Sequence, residues 1–149
     1  MNKADLVREW LNIASVDLLA ATHLFKTMQP KPLEIICYQC QQAVEKVLKA
    51  FLINQEIEPP YIHDLEKLRL MCVEYNASFE KIQEVSLKLR GYSASTRYPN
   101  RPEIGEADAV YALQEADKTY AFCTSLIPSL QLTEQEQELK RSQTQEQTM

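Results

Sequence analysis

Apolar residues return every three or four positions through five separate stretches of this chain, and that period limits its folding more than any other feature. A helix turns once in about 3.6 residues, so side chains at such steps share a face, whereas a half-buried strand alternates at steps of two. Val7, Leu11, Ala14, Leu18, Ala21 and Phe25 follow the helical step with Trp10 and Leu24 on the adjoining rows, and Pro30 and Pro32 end the run. Leu33, Cys37, Cys40, Val44, Val47 and Phe51 repeat it, with Ile36, Ala43, Leu48 and Ala50 widening the face, which predicts the most buried helix of the set.

Pro59-Pro60 forbids continuation of that second helix, and a shorter one is expected to open at His63-Asp64-Leu65. Its inward side chains are Leu65, Leu68 and Cys72, with Asp64 at the positive N-terminal end, and it should run out near Tyr75-Asn76. Ser78 is expected to cap a fourth helix reaching about Tyr92, with Ile82, Val85 and Leu89 on one side. A last helix is expected over 106–126, with Ala109, Ala112, Ala116, Tyr120 and Cys123 along one edge. The chain has only 2 glycines, Gly91 and Gly105, and no Asn-Gly or Asp-Gly hairpin signal, which argues against a sheet. The fold class is therefore all-α, an up-and-down bundle of four to five helices forming one domain over 1–130. Residues 131–149 are polar with a single leucine, bury no face, and are expected to be a disordered tail.

With 45% hydrophobic and 25% charged residues the 149-residue chain has the balance of a soluble globular protein. No apolar run nears the ~18 residues of a membrane span, and the charged N-terminus lacks the apolar core of a secretory signal, so a cytoplasmic protein with no membrane partner is expected. The net charge of −5 argues against a generally basic nucleic-acid surface. Locally, Lys81, Lys88, Arg90, Arg97 and Arg101 face only Glu84 within 81–101, while 103–117 holds five acids and no base. Either the acidic start of the last helix pairs with that basic segment, or the segment binds an anion. Cys37 and Cys40 make a C-x-x-C pair on an apolar seam, and no second pair exists to complete a zinc site. Four free, mostly buried thiols are expected, with no metal and no cofactor.

Several polar residues admit a local role and a functional one. Tyr38, Gln42, Glu45 and Lys49 lie in one stripe of the second helix, and on pattern alone this is a solvated face with a weak i, i+4 ion pair. His63 has the chemistry of an acid, base or nucleotide contact, and its local role is to fix the Pro-Pro turn while Asp64 caps the next helix. Asp17 falls near the apolar rows of the first helix, where a carboxylate needs a partner, and Arg97 is the expected one.

Together these segments resemble a known family. Cys40-Gln41-Gln42-Ala43-Val44-Glu45-Lys46-Val47-Leu48-Lys49-Ala50-Phe51-Leu52 resembles the "QQA-x-EK-x-LKA" helix of HEPN domains. Pro59-Pro60-x-x-His63-Asp64-Leu65 resembles the family's helix-start motif, Tyr92 with Arg97-Tyr98-Pro99 its "RYP" loop, and Trp10 with Asp17-Leu18 its opening helix. The likeness covers about residues 5–127 in the right order, which makes it far more specific than any single motif. It implies a helical bundle, commonly dimeric, found in prokaryotes beside minimal nucleotidyltransferases in toxin-antitoxin-like pairs.

Many HEPN proteins are RNases that use an arginine and a histidine about four to six residues apart, and others bind nucleotides or RNA without catalysis. Here the histidines are His23 and His63, and neither follows an arginine within that window. The departure favours a non-catalytic nucleotide- or RNA-binding module, and the resemblance implies a homodimer and a nucleotidyltransferase partner. In that role Arg97 would contact phosphate, Tyr98 would stack, and Gln42, Lys46, Lys49 and His63 would line the site, with Asp17 and Asp64 structural. Two alternatives stand beside it: a metal-independent RNase with Arg97 and His63 meeting in space, and a purely structural dimerisation module.

Overall fold

The structure, a computed structural model, describes residues 2–93, 99 and 103–128. Arg97, Tyr98, Arg101 and the 131–149 tail lie outside the described residues. The described chain is all-α, with five α-helices and no strand: α1 (Lys3–Thr27), α2 (Leu33–Asn54), α3 (Leu65–Val73), α4 (Gln83–Leu89) and α5 (Glu106–Ser125). Short 3-10 helices over Ala77–Ile82 and Arg90–Tyr92 flank α4.

The two long helices follow from the apolar period. Val7, Leu11, Ala14, Leu18 and Ala21 are the buried residues of α1, which packs along α2 more extensively than any other pair of elements. α2 is buried on most sides, with α1 against one side and α5 against another, and its Ile36, Cys37, Leu48, Phe51 and Leu52 are inaccessible or nearly so. Phe51 meets Phe79 at 4.5 Å between ring centres, and Phe79 meets Phe122 of α5 at 5.3 Å edge-on, an aromatic seam that ties the 3-10 segment to both helices. All four cysteines are free and buried, and burial pushes the thiols of Cys37, Cys40 and Cys72 up to about 12.

Helix ends are set by local hydrogen bonds. Asn2 Oδ1 accepts from the Asp5 N–H at 2.8 Å, and Asp64 Oδ1 accepts from the Glu66 and Lys67 N–H groups at 3.0 and 3.3 Å, the capping role expected of Asp64. The fourth helix departs from expectation. Asn76, not Ser78, is the cap: its Oδ1 accepts from the Ser78 N–H at 3.0 Å and from the Ser78 hydroxyl. That Asx-type turn winds 77–82 tightly, so α-geometry starts only at Gln83. The C-terminus of α2 closes with Ile57 N–H donating to Leu52 O at 3.0 Å and Glu56 N–H to Ile53 O at 2.9 Å, with Glu56 itself at φ 62°. These are the paired bonds of a Schellman motif, here with a glutamate in the left-handed position usually given to glycine. The turn throws 57–61 back toward α1.

Candidate functional site

Two polar clusters run along α2. The first joins α2 to α1: Lys46 Nζ donates to Asp17 Oδ2 at 2.6 Å, and both side chains are largely covered. Lys46 projects from the helix packed directly against Asp17 and is a partner that the sequence did not suggest, while the expected Arg97 lies outside the described residues. A charge-assisted bond this short between half-buried groups orients α1 on α2.

The second cluster joins α2 to the Pro-Pro turn. Glu45 Oε1 lies 2.9 Å from His63 Nδ1, Glu45 Oε2 lies 3.4 Å from Lys49 Nζ, and Gln41 Nε2 donates to the His63 carbonyl at 3.1 Å. Gln42 Nε2 in turn donates to Gln41 Oε1 at 2.8 Å. The expected solvated face is therefore corrected. Glu45 and Lys49 are only 4% and 5% exposed, with Trp10 of α1 and Tyr61 beside Lys49 and His63 on Glu45. His63 ties the turn to α2 by hydrogen bonds: its carbonyl takes the Gln41 amide, while its ring reaches Glu45 and stays 63% exposed. With Nδ1 held on a carboxylate, Nε2 is left for solvent or a ligand, the orientation logic of a general base and its supporting acid.

Gln42, Lys46, Lys49 and His63 are thus brought to one side of α2 and the adjoining turn. Arg97 and Tyr98 fall outside the described residues, so their place beside this group belongs to the proposal below. Of the two readings of the charged segments, the described residues show no pairing between the acids of α5 and the bases before it. Lys88 pairs with Glu84 at 3.2 Å and Arg90 with Asp64 at 3.8 Å, while Glu106 meets Lys31 at 3.9 Å and Glu115 meets Lys118 at 3.4 Å. Asp108 accepts from the Gly105 N–H at 2.8 Å and from the Tyr92 hydroxyl at 3.3 Å, and burial beside that acid pushes the Tyr92 phenol up to about 12.

The HEPN domain family model matches residues 7–126. The chain belongs to the HEPN domain family. No match was found among curated proteins or solved structures. The match spans α1 to the end of α5, so the two polar clusters are part of the HEPN domain itself. HEPN domains are generally associated with nucleotides or RNA and often dimerise. No described helix is long and apolar enough to cross a membrane.

Sequence reasoning missed a third buried polar group. Arg69, 3% exposed, donates from Nε to Glu66 Oε2 at 2.8 Å and from Nη2 to Oε1, and Ser86 of α4 donates to the same carboxylate. The Arg69 guanidinium holds the Glu66 carboxyl below the usual carboxylate range. The signal was present: Arg69 directly follows Leu68 and precedes Cys72 by three, so it stands beside the inward row of α3 with an acid at i−3. This group pins α3 to α4.

Proposed function

We infer that this HEPN domain is a nucleotide- or RNA-binding module that acts through the α2 polar side and His63, with the Arg97-Tyr98 loop completing the site. The observation that carries this reading is the buried Glu45–Lys49 pair capped by His63. Burying two charges costs several kcal/mol that an apolar pair of the same volume would not. A chain that keeps them at the edge of its core, next to an outward imidazole, is using them for something besides packing. Gln42 and His63 supply hydrogen-bonding groups for bases or ribose, and Arg97 supplies a fork for phosphate. In this reading the domain spans 1–130, and the polar 131–149 tail has no part in the site.

The module works as a homodimer and alongside a minimal nucleotidyltransferase. The dimer is supported by Ile13, Val16 and Leu19, which recur at steps of three on α1 and are 46%, 54% and 67% exposed. Light scattering should give a mass near twice 17.2 kDa; a monomer at micromolar concentration rejects the dimer. Binding is tested by thermal unfolding with and without short single-stranded RNA and nucleoside triphosphates. Ligand raises the melting temperature of the native protein and not of a folded Arg97→Ala variant. Equal stabilisation of both rejects the site.

One observation favours RNA cleavage as a second reading: His63 Nδ1 sits on Glu45, leaving Nε2 poised to exchange a proton. Cleavage of total RNA by the native protein in EDTA, abolished in both His63→Ala and Arg97→Ala, would establish it. Intact RNA after prolonged incubation would remove it.

A further inference from the structure

Besides the α2 polar side, the described structure has a cleft of about 510 Å³ between the start of α1, the end of α2 and the 57–61 turn. Its size suits a small ligand or one nucleobase. Trp10 and Tyr61 provide aromatic faces, Ile53 and Pro60 provide apolar wall, and Lys49 and Glu58 bring opposite charges. Lys49 Nζ stands over both rings, 6.0 Å from the centre of each. Tyr61 is 96% exposed, an expensive placement for a phenol ring in a folded chain, and it stands at the mouth of the cleft. An ammonium carries three donors, and among the described residues only the Glu45 carboxylate takes one by hydrogen bond. A buried donor at the edge of an apolar, aromatic-walled cleft selects a flat ligand that accepts along one edge.

We propose that this cleft binds a single guanine base of an RNA strand, stacked on Trp10 and Tyr61, with Lys49 Nζ donating to guanine O6 and N7 and Glu58 accepting from N1–H and N2–H. The inference rests on the nucleotide- or RNA-binding reading and names the base it recognises. Among the bases, guanine alone offers two neighbouring acceptors on one edge and two neighbouring donors on another, which matches an ammonium and a carboxylate lining one cleft. Adenine would set its N6 amino group against the Lys49 ammonium. Cytosine can turn N3 and O2 to the ammonium but then has one donor group, N4, for the carboxylate, and uracil offers one acceptor to the ammonium and a smaller face to two rings. The carboxylates of Glu56 and Glu58 in the same cleft keep phosphate out of it, so the base enters and the backbone stays outside.

Trp10 is the only tryptophan of the chain, so its fluorescence reports on this cleft alone. The test is titration of the full chain with 5′-fluorescein pentaribonucleotides UUGUU, UUAUU, UUCUU and UUUUU, following strand anisotropy; unlabelled strands of the same sequences are used for Trp10 quenching. The proposal expects UUGUU to bind about tenfold tighter than the others and to quench Trp10. Tyr61→Ala, a surface change that leaves the fold intact, should weaken UUGUU about tenfold, and Lys49→Met should erase the preference for it. Equal binding of all four strands with Trp10 unquenched overturns the guanine site and leaves the RNA-binding reading standing. Absence of anisotropy change with every strand overturns RNA binding and the guanine site together.

Discussion

Truncating Glu45 is the sharpest perturbation of the α2 cluster. The carboxylate lies 3.4 Å from Lys49 Nζ. At an effective dielectric of about 20, Coulomb attraction at that separation is about 5 kcal/mol. Desolvation of the two ions offsets most of this, so the intact pair contributes little net stability. Removing one member is different, because Glu45→Ala leaves the ammonium of Lys49, only 5% exposed, without its carboxylate. Such losses cost about 3–5 kcal/mol, and the cleft beside Lys49 lets some water reach it, which places the cost near ~3 kcal/mol. For a domain of this size that lowers the melting temperature by about 10 °C. Circular dichroism melts of Glu45→Ala and of the double variant Glu45→Met/Lys49→Met measure it, and the double variant should stay within about 1 kcal/mol of the native chain because no charge is left unpaired. Melting of Glu45→Ala within about 2 °C of native would refute the account of a buried, mutually dependent pair.

Three further outcomes follow from the fold. Because Glu66 titrates below its unfolded value, about 4.3, the unfolded chain binds the proton first on acidification. The Glu66 contribution is therefore complete above that value and disappears as pH falls through the lower folded value; urea midpoints from pH 6 to 2 should show the loss, and Glu66→Gln should lack this portion of the slope. Glu56→Gly relieves a side chain at φ 62° and should raise stability by about 0.5–1 kcal/mol, read as a higher urea midpoint; a lower midpoint would show that the turn is not strained. The four cysteines should resist iodoacetamide at pH 8 in the folded protein and alkylate fully in denaturant, since burial holds the thiols far above that pH; rapid labelling of any one in the native state would contradict its burial.

The long helices were legible because a period of 3 and 4 has one physical solution, and the faces of α1 and α2 read from Val7 to Phe51 are the buried ones. Asp64 was legible as a cap because capping is local chemistry. The fourth helix was not, since Asn76 and Ser78 are both good caps and only their mutual hydrogen bond decides which acts. Glu45 and Lys49 read as a surface ion pair because i, i+4 charge spacing is the same whether water or a folded-back turn covers it. Beside them stand Trp10 of α1 and the 57–63 segment, whose direction depends on a left-handed glutamate that sequence pattern does not disclose. Lys46 was missed as a partner of Asp17 for a related reason: it is 29 positions away and reaches it only through the packing of α1 on α2. The Trp10 cleft has no sequence signature, being built from three segments that the fold alone brings together.

The central claim is that the α2 polar side and His63 hold nucleotide or RNA. Its most direct measurement is the equilibrium affinity of the native chain for a fluorescein-labelled single-stranded 12-mer RNA of mixed sequence, beside folded Gln42→Ala and His63→Ala variants, at two salt concentrations. The account predicts saturable binding that weakens with salt and falls at least fivefold in each variant. Binding by both variants with native affinity, or none by the native protein, would contradict it.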